Sequence, residues 1–378
     1  MADLQGDVAD GPFATLNLRH VVFGLDLHPS RPLCAAGLLS GQLKLFEYDV
    51  AGRSVAQTWS ARPHKESCRS VRFSADGASV FSAGVDGTLQ QRDLETNQPT
   101  WRMRHAATTG INALTLLGDV GIATGDDEGG VRCWDLRQRA ASMAFKENED
   151  YVADLLYATN RKSDHTLVVA GGDGLLSVFD LRAGRLWARS DPQEDELLSL
   201  ALVKNGRKLL GGMQTGCIGI FSWGDFGDVS DRLLGHPASV DCMAAHGEDA
   251  IITGGGDGLL RFVSVHPNKV LGVVGEHGDS PIETLALDGD GSVLASCAHD
   301  QTLKLWDVAY LHGGDDEEDG DGSGEAESDD ESNDDGDDDA SDGGSHRAAK
   351  AARREQQVKP IVKQNAAIKL GAGFFAGL

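Results

Sequence analysis

The sequence predicts an all-β fold: a seven-bladed β-propeller followed by a disordered tail, acidic and then basic. Three observations predict it. A glycine turn recurs along the chain, at Gly41, Gly87, Gly129, Gly174, Gly216 and Gly258, with Gln301 in the same slot of a seventh copy. The steps between these positions run from 42 to 46 residues, the length of four short strands with their turns. Each turn opens a short, mostly apolar run, and the two fullest copies, Gly129–Asp135 (GGVRCWD) and Asp300–Asp307 (DQTLKLWD), end in Trp-Asp.

That ending, at that period, is the signature of WD-type repeats. Residues 1–12 are polar and acidic, without the apolar core of a secretory leader, and are expected to be flexible. Phe13–Leu18 (FATLNL) has strand character and precedes the first complete repeat. Each repeat then reads alike. An inner strand such as Val71–Phe73 leads to a polar turn, Ser74–Gly77 (SADG), and to a second strand ending in small residues, Val80–Ala83 (VFSA). A tight Asp-Gly turn follows, because glycine accepts positive φ there, and then the third strand. The fourth strand is the most variable. The seventh repeat lacks one, so Phe13–Leu18 is expected to pair into that blade as its outer strand and close the ring, placing the propeller at 13–312. Closure removes the edges that an open array would expose.

Residues 313–345 hold 17 acidic and no basic residues, too little apolar surface to offset ordering entropy, so this acidic tract is expected to be disordered. The basic tail, 346–378, carries seven Lys/Arg against one Glu and ends in FFAGL, with Phe374, Phe375 and Leu378 forming a candidate docking peptide. Removing both segments from the −25 total leaves about −14 on the repeats, so direct nucleic-acid binding through net charge is not expected. Contacts with basic proteins through the acidic tract are. The six cysteines fall in six different repeats with no C-x-x-C pair, which predicts neither zinc nor a redox motif but buried thiols in a reducing compartment. No apolar run approaches the 18 residues of a membrane span, and no phosphate cradle or H-E-x-x-H pattern occurs, so no cofactor or metal is expected.

Two constellations carry candidate chemistry. The first is a His, Ser/Thr, Asp and Trp set that recurs at one phase of the repeat. The seventh repeat offers His277, Ser296, Asp300 and Trp306. The second offers His64, Ser82 and Asp86 with Arg92 in the Trp slot; the third offers His105, Thr124 and Trp134 with Glu128 in the Asp slot; the sixth offers His236, Thr253 and Asp257 with Val263 for Trp. One catalytic triad does not need several copies, so the set reads as a structural hydrogen-bond relay and the chain as non-enzymatic. The tryptophans at 101, 187 and 223 read as core.

The second constellation is a pair of boxes ending two successive third strands, Trp134-Asp135-Leu136-Arg137 and Phe179-Asp180-Leu181-Arg182. They resemble the tandem D-x-R boxes of substrate receptors that dock on the damaged-DNA-binding adaptor of cullin-RING ubiquitin ligases. That resemblance implies partner contacts by Trp134, Asp135, Arg137, Asp180 and Arg182, with the arginines forking onto acceptor oxygens. The structural alternative is that each arginine pairs with the aspartate of its own box.

Seven degenerate repeats, His28-Pro29 after Gly24–Leu27 (GLDL), the acidic tract and the terminal FFAGL together resemble the WD repeat-containing protein 55 family over 13–378. The resemblance implies a nuclear and nucleolar protein-interaction scaffold in ribosome biogenesis and rRNA processing, present also in the cytoplasm. It implies ribosome-assembly factors as partners, and a monomeric propeller within their complexes. In plant-like members it also implies association with the ubiquitin-ligase adaptor, so the alternative function is that of a substrate receptor.

Overall fold

The computed structural model describes residues 11–119, 121–158 and 165–312. The acidic tract, the basic tail and the FFAGL residues Phe374, Phe375 and Leu378 lie outside the described residues. Seven antiparallel sheets of four strands each stand around a central channel. Blade 2 shows the plan: Cys68–Phe73 innermost, then Ser79–Gly84, Leu89–Asp93 and, outermost, Pro99–Met103. Blades 1 and 3 to 6 repeat it, with inner strands Val22–Leu27, Ile111–Leu117, Val152–Ala158, Leu197–Val203 and Val240–His246.

In the seventh blade the order is Ala14–Asn17, Thr302–Asp307, Val293–Ala298, Ile282–Leu287. The outer strand thus comes from the far end of the chain. Ala14 sits opposite Leu305 and Leu16 opposite Leu303. Phe13 N–H donates to Leu305 O (2.8 Å) and Leu18 N–H to Gln301 O (2.9 Å), so the pairing runs the whole length of the segment.

The recurring glycines are explained by the turn they occupy. Gly41, Gly87, Gly129, Gly174, Gly216 and Gly258 all have φ between 64° and 87°, and Gln301 adopts 63° in the equivalent place. This left-handed region costs any residue with a Cβ. Space adds a second reason: a Cβ on Gly87 would stand 2.8 Å from the carbonyl oxygen of Ala107, where the connection to the next blade passes over the turn.

Second strands are buried along their length, as in Ser79–Gly84 and Val293–Ala298, because a neighbouring blade covers each face. Small residues on them let adjacent sheets approach. The core is accordingly a series of apolar layers between blades, one of which joins Phe13 and Leu18 to Leu25, Phe46, Leu303 and Leu305. All six cysteines are free and buried, and burial alone pushes the Cys133 thiol up to about 12.

The up-and-down order of each sheet sorts the loops onto two faces. Turns between second and third strands, and connections between blades, lie on one face, the entry face. Turns between first and second strands, and between third and fourth, lie on the other, the exit face.

Candidate functional site

In blade 7 the four relay residues are brought together. His277 lies in the connection entering the blade, Ser296 on the second strand, Asp300 in the following turn and Trp306 on the third strand. The indole is donor-only. Trp306 Nε1–H donates to Ser296 Oγ (2.9 Å), so the Ser296 hydroxyl donates onward to His277 Nε2 (2.8 Å). His277 Nδ1 then carries the proton and donates to Asp300 Oδ2 (2.8 Å). The imidazole is neutral, with its pKa lowered by burial against the opposing pull of Asp300. Ser296 has no solvent exposure, and its hydroxyl is held on both sides. A serine so enclosed cannot attack a substrate; the trio fastens a connecting loop to a blade.

Other blades keep part of the relay. In blade 2, His64 meets Ser82 Oγ (2.9 Å) and Asp86 Oδ1 (3.1 Å), while Arg92 turns away to the Asn97 carbonyl. In blade 3 the sequence expectation for His105 fails. Position in the relay is set by a backbone bond to the preceding glycine turn, made by His277 N–H to Gly258 O and by Ala106 N–H to Gly87 O. The slot therefore belongs to Ala106, and His105 is exposed with a φ of 57°. Trp134 still donates to Thr124 Oγ1 (3.0 Å). Glu128 is likewise displaced from its expected role: Asp126 accepts the N–H of Gly130 (2.7 Å) and pairs with Arg132 (3.2 Å). In blade 4, Asn148 takes the histidine's place and donates to Asp173 (3.2 Å). Trp101 is buried, but Trp187 is half exposed on the outer edge of blade 4, its ring edge-on to Phe226 at 5.3 Å.

Blade 6 shows what competition does to a relay. His236 Nε2 meets Thr253 Oγ1 (2.9 Å), but Arg261 forks onto both oxygens of Asp257 (3.0 and 2.5 Å). His236 Nδ1 is left buried without a hydrogen-bond partner. Burial first, and the Arg261 charge second, lower its pKa from 6.5 to about 4. The unfolded chain therefore binds the proton more tightly, and the stability that this neutral histidine contributes is complete above about pH 6.5 and is lost as the pH falls through about 4. Arg261→Gln should free Asp257 for His236 and raise its titration midpoint by a unit or more, about 1.4 kcal/mol per unit, followed by NMR of the ring protons. A midpoint that stays near 4 would show that Arg261 is not the competitor.

The two boxes end third strands of adjacent blades, Gly130–Asp135 and Leu176–Asp180, so both turns lie on the exit face. Asp135 Oδ1 accepts the N–H of Arg137 (2.9 Å), and Asp180 Oδ1 accepts the N–H groups of Arg182 (2.9 Å) and Ala183 (3.0 Å). Each aspartate is thus a cap for its own turn. The Arg137 guanidinium closes back on the same Asp135, Nε to Oδ1 (3.1 Å) and Nη2 to Oδ2 (3.0 Å). That fork holds the Asp135 carboxyl below its usual range and raises Arg137. In the first box two guanidinium donors that docking would need are used on Asp135, and Trp134 is buried in the core. For the first box the geometry favours the structural alternative.

Sequence reasoning missed the channel mouth. Every inner strand carries a β-bulge near its start, for example between Val22 and Gly24, Cys68 and Ser70, and Val240 and Cys242. The extra residue of a bulge is re-aimed. Phe23, Arg69, Asn112, Asp241 and Glu283, with Tyr151, line a concavity of about 700 Å³ at the mouth on the entry face. Arg69 stacks over Phe23 at 4.4 Å. Deeper in the channel, Asp26 accepts the N–H of Phe73 (2.8 Å) and Asp154 that of Leu200 (2.9 Å), each tying its blade to the next. Burial raises both carboxyls, against the lowering charge of Arg72. Among the described residues no group of His, Cys, Asp and Glu has the arrangement of a metal site.

Comparison with known proteins places the chain. The WDR55 family model matches residues 13–311, the whole ring. The chain is similar to WD repeat-containing protein 55 of Arabidopsis thaliana, 41% identical over 302 residues, 80% of this chain and 84% of that protein. It is 38% identical to the Homo sapiens protein of that name over 288 residues, 76% and 74% of the two chains. It is 36% identical to WD repeat-containing protein JIP5 of Coprinopsis cinerea over 306 residues, 77% and 73%.

Proposed function

The chain belongs to the WD repeat-containing protein 55 family, and from that premise we propose that it is a nuclear and nucleolar scaffold for ribosome assembly and rRNA processing. Propellers of this kind are interaction platforms without catalysis, and the two serine–histidine–aspartate sets that resemble a triad have their serine and histidine sealed inside blades 2 and 7. The observation that carries the reading is the match of the family model across the whole ring. The partners are ribosome-assembly factors, and the 17 acidic residues of 313–345 offer complementary charge to basic proteins among them.

The test is sedimentation. The intact chain should travel with pre-ribosomal particles, its depletion should cause unprocessed pre-rRNA to accumulate, and removal of 313–378 should weaken the association. Normal pre-rRNA processing after depletion would overturn the reading. The ubiquitin-ligase alternative is not favoured by the Arg137 fork. Adaptor capture by the intact chain that is lost in Arg137→Ala/Arg182→Ala would restore it.

A further inference from the structure

We propose that a groove beside blade 2 on the entry face, walled by Arg62, Lys65, Arg102 and Arg104, binds a short acidic segment of a partner protein. The groove has a volume of about 720 Å³. Two stretches roughly 40 residues apart in sequence build it: Arg62 and Lys65 in the connection entering blade 2, and Arg102 to His105 in the stretch leaving it. All four cations are exposed, and among the described residues none has a carboxylate partner. Elsewhere Arg132, Arg137, Arg261 and Lys204 each sit against an aspartate.

The one carboxylate in the groove wall makes no ion pair with them. Asp86 is taken up by His64 Nδ1 (3.1 Å), the Lys65 N–H (3.0 Å) and the Thr88 N–H (3.1 Å). Burial opposes its charge, but these donors win and hold it well below the usual carboxylate range. Arg102 is oriented by donating Nη2–H to the Pro63 carbonyl (2.9 Å). Its charge also presses on Arg92, whose pKa burial, and then Arg102, lower and whose buried Nε has no acceptor. Four like charges crowd here with Asp86 as the one carboxylate among them in the wall.

The chemistry of the occupant follows from size and surroundings. Arginine forks pair with carboxylates. A nucleic acid needs a longer basic track, since its phosphates recur every few ångströms. The repeats carry about −14, and on this same face the connection into blade 4 is acidic at Glu147, Glu149 and Asp150. A segment of three or four carboxylates suits four cations bounded by acidic loops. This inference does not depend on a role in ribosome assembly.

The test is fluorescence anisotropy of labelled hexaglutamate with the full chain at 0.1 M salt. Binding is expected, with at least a tenfold loss in Arg62→Glu/Arg104→Glu and abolition at 0.5 M salt. Arg102 is left in place because it holds the Pro63 carbonyl. Arg185→Glu/Arg189→Glu, on the outer strand of blade 4, should leave binding unchanged. The neutral pair Arg62→Gln/Arg104→Gln should lose less than the reversed pair, and each variant should melt where the intact chain does. Absence of binding, equal binding by the reversed groove variant, or an equal loss in the blade 4 variant would overturn the proposal. Tighter binding of hexauridylate than of hexaglutamate would overturn the choice of a protein partner.

Discussion

A chain lacking residues 1–18 should lose about 5 kcal/mol or more of stability and should no longer stay monomeric. Phe13 and Leu18 are 6% exposed, and Phe13 stands against Tyr48 of blade 1 at 6.3 Å. Exposing two such side chains costs roughly 1.5–3 kcal/mol each. Their removal also strips the four-residue ladder from Thr302–Asp307. That strand then becomes an open edge with the sequence TLKLWD, alternating and apolar, of the kind that recruits other chains. For a domain of this size a loss of 5 kcal/mol corresponds to a drop in Tm on the order of 10 °C or more. Differential scanning calorimetry with light scattering would read both effects. A peptide of residues 11–20 added in trans should recover part of the loss by refilling the slot. An unchanged melt and a monomer would show that the ring is held shut by something other than this strand.

How much of this was legible in the sequence depended on which interactions leave a local trace. Glycines with positive φ recur because one turn recurs, so blade number and phase could be read directly from Gly41 to Gly258. The relay of blade 7 could be read because all four residue types are present. The relay of blade 3 could not. Its slot is defined by Ala106 N–H meeting Gly87 O, and a nearby histidine drew the assignment one residue off. Amide residues filling the same slot, Asn148 in blade 4 and Gln193 in blade 5, carry no histidine signal, although Gln193 N–H makes the equivalent bond to Gly174 O (3.0 Å). The boxes were legible as motifs but not as contacts, since the same letters serve a fork onto a partner or onto Asp135. The unpaired cations of the groove were invisible for a related reason. Whether Arg62 and Arg104 meet carboxylates is decided by chain segments that only the folded blade brings together.

The relay supplies the second large effect, and it separates packing from hydrogen bonding. Trp306→Ala should destabilise the ring by about 3–5 kcal/mol, the range for emptying a buried aromatic site. Trp306 is 4% exposed, packs beside Leu294, Val308 and Val274, and fills the space over Gly275, where a Cβ would stand 2.5 Å from the indole. Trp306→Phe keeps most of that packing and removes only the N–H, so the Ser296 hydroxyl loses a donor and the expected loss is about 1–2 kcal/mol. Because Ser296 Oγ is shared between Trp306 and His277, Trp306→Phe and His277→Ala should not add: a double-mutant cycle by chemical denaturation should show a coupling of about 0.5 kcal/mol or more. Blade 3 is the internal control. Trp134 donates to Thr124 there, but Ala106 stands in the histidine slot, so Trp134→Phe paired with Ala106→Gly has no shared hydroxyl to couple them. Strict additivity in blade 7 would mean that the indole, the hydroxyl and the imidazole stabilise the blade as independent contacts and do not act as one chain of donors.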